Sequence, residues 1–332
     1  MSQAELAERM GRPKKTINEI IKGKAALTPE TALQLERVLG VPAGFWANRD
    51  YHFREFLAKR QERERLRSKA GWLDTLPVRE MVKLGWIKGH TDKVRQLQTV
   101  LDFFGVASPE VWKRIWCGPR VTFRRSPAYQ NDPGLLAGWL RAGEIKARGI
   151  TCAPFDAGRF TRNLAAIRRL TMKPPAQWVP ALTRICADSG VALAFLPEPP
   201  RLSINGATRW LSPAKALLQM SLRYTTDDQF WLTFFHEAGH ILLHGKRDVF
   251  LETAGYSRVK EEAADQFALQ QLLPKDGLAR FTSVIPPARD GIKRFAAAHG
   301  LAPGVLVGLL QHCGVLHHAR FNDLKRLFKL EA

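Results

Sequence analysis

The sequence lacks the features of a membrane protein or a disulfide-stabilised one. Its most apolar stretch, residues 301–316, is interrupted by a proline, three glycines and a histidine, so it favours a buried helix over a transmembrane span. The four cysteines are scattered and form no C-x-x-C pair, which argues against a disulfide scaffold or a cysteine-based metal site. Glu5 and Glu8 lie where a secretory signal would be apolar. We therefore expect a cytoplasmic protein with no membrane partner.

Repeats and low-complexity tracts are also missing, and the remaining composition is that of an ordinary globular protein. Apolar residues make up 45% of the 332 positions and charged residues 25%. Helical patterns broken by Gly and Pro fill residues 1–67 and 68–190, and short apolar runs such as Val191–Leu196 then indicate buried strands. We predict a mainly α (α+β) fold with a small β-sheet and three segments, of which the last is 191–332.

Negative charge is scarce, because 51 Lys and Arg residues face only 31 Asp and Glu residues, giving a net charge of +20. The excess is spread along the chain. A strongly positive protein favours binding to nucleic acid, since contacts between its cations and the phosphates release counterions. The alternative interpretation is that the charge serves solubility alone.

The strongest chemical signal is an H-E-x-x-H motif within an apolar helix. His236 and His240 are four residues apart, so they share a helix face and can bind one ion. Glu237 can act as the general base for the attacking water while the ion polarises the scissile carbonyl. The motif therefore predicts one Zn²⁺ per chain in a hydrolase. The alternative is a pair of core histidines whose hydrogen bonds are satisfied by protein.

A catalytic zinc needs a third protein ligand. Glu261 and Asp265 lie about twenty residues downstream, four apart on a second predicted helix, so one can bind the ion while the other orients a ligand histidine. Glu262 replaces Glu261 if the helical phase is shifted by one residue. His244, one turn beyond the motif, is a weaker candidate because it lies near the helix end.

These segments resemble the ImmA/IrrE metallopeptidases. The resemblance rests on FFHEAGHILLH at 234–244 and EEAADQFALQQLLP at 261–274, and it extends over about residues 72–330. It implies a helical zincin-like domain with a small sheet, zinc bound by His236, His240 and Glu261, and Glu237 as the catalytic base. It also implies cleavage of DNA-bound or DNA-linked repressors.

In zincins, an edge strand beside the active-site helix binds the substrate main chain. Residues 203–222 are the candidates here. Arg209 and Tyr224 are candidate substrate or oxyanion contacts, although such residues more often serve packing or lie on the surface.

The N-terminal residues resemble the helix-turn-helix of the XRE and HigA-like class. Ser2 to Met10 and Lys14 to Lys24 give the two helices of the motif. The start of the second helix carries the predicted DNA contacts, which are Lys14, Lys15, Thr16 and Asn18. Proteins of this class have a further helix before the one beginning at Ser2, so we expect residues 1–67 to lack the first helix of the bundle.

Two functions follow from these motifs. The first is a zinc endopeptidase joined to a DNA-binding module, which cleaves a transcriptional repressor or other regulator in a stress, prophage or toxin–antitoxin setting. The second is a non-enzymatic XRE-family regulator or antitoxin whose metallopeptidase-like domain is a sensor or scaffold. The expected partners are a protein substrate, double-stranded DNA and a second copy in a homodimer, in the bacterial cytoplasm or at the nucleoid.

Overall fold

The structure is a computed structural model that describes residues 1–116, 132–200, 202, 204–222, 226–244, 257–273, 281 and 288–328. The chain divides into two compact units. The first comprises Met1–Gly71 with Asp92–Leu97, and the second comprises Trp72–Thr91 with Gln98–Ala332.

The first unit is helical. Its helices are α1 (Gln3–Arg9), α2 (Lys14–Ile21), α3 (Pro29–Leu39) and α4 (Ala43–Lys69). The Ser2 hydroxyl caps α1 by accepting from the Glu5 N–H at 3.2 Å, as the sequence pattern predicts. Thr28 caps α3 in the same way, and Gly40 ends it in the left-handed conformation at φ 72°.

A small apolar core holds the first unit together. Ala7 of α1 and Met10, which follows that helix, pack with Ile17 from α2 and Leu35 from α3, and all four are buried. The small side chain of Ala7 lets α1 and α2 cross closely. The two helices of the predicted motif are therefore fixed against α3.

The other described helices are α5 (Val78–Lys83), α6 (Lys93–Phe104), α7 (Pro109–Trp116), α8 (Pro133–Arg148), α9 (Ala157–Leu170), α10 (Pro175–Asp188), α11 (Asp227–Leu243), α12 (Ser257–Leu272), α13 (Arg289–Ala298) and α14 (Pro303–His312). The strands are β1 (Val191–Leu196), β2 (Gly206–Ser212) and β3 (Lys215–Ser221). This predominance of helices, together with the small sheet, confirms the predicted mainly α (α+β) fold. Among the described helices, none is both long and apolar enough to cross a membrane.

The three strands form one sheet in the order β1-β3-β2. β1 and β3 are parallel, whereas β2 is an edge strand antiparallel to β3. Alternate residues face opposite sides of a sheet. Leu218 of β3 joins the large core around α11, whereas Leu217 packs on the other side with Ala147 of α8. α8 to α10, which the sequence analysis placed in a middle region, lie in the same compact unit as the sheet.

α11 runs through the main core of the second unit. Its side chains Phe230, Trp231, Phe234 and Phe235 are fully buried, as its apolar sequence predicts. α12 packs directly against it at Gly239, where an added Cβ would lie 3.0 Å from the Phe267 ring. The glycine within the H-E-x-x-H motif thus permits the close approach that brings α12 beside the two histidines.

Candidate metal centre

The predicted zinc ligands of α11 lie together. The Nε2 atoms of His236 and His240 are 2.9 Å apart, and both side chains are largely buried. Their spacing of four residues places them one above the other on the helix face toward α12, as the sequence predicts.

Glu261 of α12 completes a triangle of donor atoms. Its Oε2 lies 3.2 Å from His236 Nε2, and its Oε1 lies 3.2 Å from His240 Nε2. In a tetrahedral zinc site with ligand bonds of about 2.0–2.1 Å, neighbouring ligand atoms are about 3.3 Å apart. The observed separations are close to that value, and the three side chains form a group that can hold a metal ion. Two imidazoles and one carboxylate are a donor set that suits zinc.

Asp265 orients the first histidine. Its Oδ1 lies 2.7 Å from His236 Nδ1, one helical turn beyond Glu261 on α12. A carboxylate that accepts from Nδ1–H fixes the tautomer and leaves Nε2 as the donor toward an ion. This is the role that the sequence analysis gave to Asp265.

Strong local charge surrounds these imidazoles. Burial alone lowers the pKa of His236, but its hydrogen bonds to Asp265 and Glu261 outweigh burial and raise this pKa to about 10. Burial raises the pKa of Glu261, but its hydrogen bonds to His236 and His240 lower this pKa by more than burial raises it. The net pKa is therefore lowered, and the carboxylate stays ionised. A metal ion bound here would therefore displace a proton from His236.

Glu237 is buried beside the ligand group, between α11 and the edge strand β2. Burial raises its pKa, and the neighbouring histidines and the nearby Thr208 side chain act in the opposite direction. Gly206 makes room for it, because a Cβ at that position would lie 2.8 Å from Glu237 Cγ and 2.9 Å from Oε1. A carboxyl group with a raised pKa in a dry site is suited to taking up a proton.

Two alternative ligands lie outside the donor group. Glu262 is exposed, whereas Glu261 is half-buried against the histidines. His244 caps the C-terminus of α11 with an extended backbone, which turns it away from the helical face. Its Nδ1 lies 3.4 Å from the Nδ1 of His240, on the side opposite the donor atom Nε2.

Of the two predicted oxyanion contacts, Arg209 is described, and it is not brought to this cluster. Arg209 extends from the other face of β2 and pairs with Glu144 of α8. Its direction follows from strand alternation, since Thr208 already faces α11. Tyr224 lies outside the described residues.

Gly206 and Thr208 are the site residues that the sequence analysis did not single out for a role. A glycine within a strand pattern is a signal for close approach of another group, and this signal was available at Gly206. No sequence pattern identifies Thr208, because its partner Glu237 is on a different element.

The predicted DNA contacts begin α2 in the first unit. Lys14 and Lys15 are exposed and Thr16 is half-buried, while the following Ile17 points into the core. The side-chain oxygen of Asn18 is buried, and no described group bonds to it. The two lysines are thus the members of the predicted set that the structure presents fully to solvent.

Residues 1–46 match the family model described as helix-turn-helix, HTH_3. The match spans α1 to α3 and the start of α4, and it confirms the predicted XRE-type module as a DNA-binding regulator module. No curated protein matched the chain. The ImmA/IrrE family gave no match, so the resemblance of the second unit to that family stays a prediction.

Proposed function

We propose that the chain is a zinc-dependent endopeptidase joined to a DNA-binding helix-turn-helix module. The observation that carries the proposal is the donor triangle of His236, His240 and Glu261 with the buried Glu237 beside it. A structural role alone gives no reason to bury an acid next to three converging metal-binding side chains, since such burial is costly.

Each residue of the site has a role in peptide hydrolysis. A zinc ion held by His236, His240 and Glu261 would supply Lewis-acid polarisation of the scissile carbonyl. Glu237 takes the proton from the attacking water and passes it to the leaving amine, and its raised pKa suits both steps. Asp265 holds His236 in the required tautomer.

The edge strand β2 provides a binding surface for the substrate main chain. It pairs with β3 on one side, and within the described residues it ends the sheet on the other. An extended peptide can add to such an edge through backbone hydrogen bonds. Because Gly206 of β2 lies directly against Glu237, a peptide on this edge would lie near the catalytic base.

The DNA-binding module indicates the class of substrate. A module tethered to DNA raises the effective concentration of the peptidase near other DNA-bound proteins. We therefore propose a transcriptional repressor or other regulator as the substrate, in a stress, prophage or toxin–antitoxin setting.

The direct test compares wild type with Glu237→Gln by proteomics after induction in cells. Gln keeps the shape but cannot accept a proton, so the substitution should lower cleavage by about 10²–10⁴-fold. A regulator fragmented in wild type but intact in Glu237→Gln supports the proposal. Glu262→Gln, on the exposed side of α12, is the matched control and should cleave normally. Identical fragment patterns in wild type and Glu237→Gln would exclude peptidase activity.

The second candidate is a non-enzymatic regulator whose second unit is a sensor or scaffold. The match of residues 1–46 to a DNA-binding family favours it, since that match concerns regulation alone. The two functions differ in their dependence on Glu237. If metal binding controls DNA affinity while Glu237→Gln leaves all regulation intact, the sensor function replaces the peptidase.

A further inference from the structure

A concave basic site lies on the face of the sheet opposite the metal centre. The cavity has a volume of about 340 Å³, and it is lined by Glu144, Arg148, Arg209, Trp210, Leu211, Ser212 and Lys215. Its walls come from α8 and from the hairpin that joins β2 to β3. A volume of this size accommodates a small ligand.

The one acidic residue of this lining is already neutralised. Glu144 Oε2 accepts from Arg141 Nη1 at 2.5 Å, and its Oε1 pairs with Arg209. One carboxylate therefore faces two guanidinium groups, all of them largely buried. Together, Glu144, Arg141 and Arg209 leave an excess of one positive charge at the base of the cavity.

Two further cations increase that excess. The Lys215 Nζ donates to the carbonyl oxygens of Ala147 (2.7 Å) and Ile150 (2.5 Å), which are neutral partners. Arg148 is exposed, and the described residues offer it no ion pair. Burial lowers the pKa of Arg209, Glu144 opposes this, and nearby Arg141 and Arg148 lower it again.

We propose that this cavity binds a small molecule that carries a phosphate group. Guanidinium groups match the oxygen geometry of phosphate. A bound anion also offsets the electrostatic repulsion between cations that converge on one site. Ser212 adds a hydroxyl donor at the rim, and Trp210 and Leu211 provide apolar surface for the organic part of an ester. The cavity is larger than a phosphate ion needs, which favours a phosphate ester.

The test measures binding of inorganic phosphate and of phenyl phosphate to the full-length protein by equilibrium dialysis. We expect saturable binding of both, with phenyl phosphate the tighter because its ring contacts Trp210 and Leu211. Arg148→Ala should weaken both by about tenfold through loss of a charge-assisted contact. Arg148→Lys keeps the charge and should lose less.

Arg184→Ala is the matched control, because Arg184 is an exposed arginine on α10 of the same unit and is not part of the lining. It removes the same charge and should leave binding unchanged. Equal weakening by Arg148→Ala and Arg184→Ala would mean that phosphate responds only to the net charge, and the site would be rejected. Equal affinity for the two probes would contradict the ester. Neither result depends on zinc or on peptidase activity.

Discussion

At the scale of single residues, the metal centre depends on how closely β2 approaches α11. Gly206 lies against Glu237 and also near Thr233, whose Cγ2 would be 3.0 Å from an added Cβ. Thr208, two residues along the strand, faces the same carboxyl group and lowers its pKa. The base therefore lies against the strand that we propose as the substrate-binding edge.

Gly206→Ala should displace Glu237 or the strand. We expect a loss of about 1–3 kcal/mol in the free energy of unfolding, because the methyl group overlaps buried atoms. Urea denaturation measures it. Gly149→Ala is the control, since its nearest neighbour would be an ordinary contact at 3.5 Å.

A double-mutant cycle makes this test specific. In a Glu237→Ala background the overlap with the side chain is removed, so Gly206→Ala should cost less than in wild type. Equal costs in the two backgrounds would show that the glycine does not serve the position of Glu237.

Single residues also show where sequence reasoning stops. His236 and His240 are found from spacing, because helical periodicity decides which side chains share a face. The choice of Glu261 over Glu262 needed the packing of α12 on α11. The neighbours of Arg209 depended on which face of β2 it occupies, and no local pattern determines this.

At the scale of elements, the N-terminus of α11 is held by the segment that follows α14. Lys325 Nζ lies 2.7 Å from Asp228 Oδ2, and the Arg326 N–H donates to Asp227 Oδ1 at 3.1 Å. Thr226 and Leu327 form an antiparallel bridge. Both aspartates are buried in the first turn of α11, where the helix dipole favours negative charge.

Asp227 gives this junction a pH dependence. Burial is the main cause that raises its pKa from 3.8 to about 6. A raised carboxyl pKa means that the folded state prefers the protonated form, so this group's contribution to stability is present below pH 4 and lost as the pH rises to 6.

Asp227→Asn should therefore be more stable than wild type at pH 7, by about 3 kcal/mol, with the difference vanishing below pH 4. The amide oxygen can still accept from the Arg326 N–H. Thermal and urea unfolding between pH 3.5 and 7.5 measure the difference. Asp290→Asn, an exposed acid in the first turn of α13, is the control and should show no such crossover. A less stable Asp227→Asn at pH 7 would contradict the assignment.

The elements themselves were largely predictable from local patterns. β1 was predicted at Val191–Leu196, where it lies. α7 was missed, since its eight residues at Pro109–Trp116 are shorter than the window over which a helical pattern is recognised. Strand order could not be predicted, because β1 pairs with β3 although β2 lies between them in the sequence, and local patterns do not determine such a pairing.

At the scale of the whole molecule, a basic chain combines a DNA-binding module with the proposed peptidase. The net charge of +20 suits association with nucleic acid. DNA binding and metal binding are assigned to different compact units, so each can be tested without the other.

Lys14→Ala combined with Lys15→Ala should weaken duplex binding. The slope of log binding constant against log salt concentration should also fall in magnitude by about two, because each lysine that contacts a phosphate contributes about one to this slope. Fluorescence anisotropy across a salt series measures both quantities. Lys22→Ala with Lys24→Ala removes the same charge beyond the other end of α2 and should have a smaller effect. Equal losses in the two double variants would contradict the assignment of the start of α2 to DNA.

The central claim is that His236, His240 and Glu261 bind zinc, and the zinc content of the purified protein tests it most directly. We predict about one zinc per chain in wild type and in Glu262→Ala, and little or none in Glu261→Ala. Circular dichroism of each variant confirms folding. A folded wild type without zinc, or Glu261→Ala that retains as much zinc as Glu262→Ala, would contradict the account.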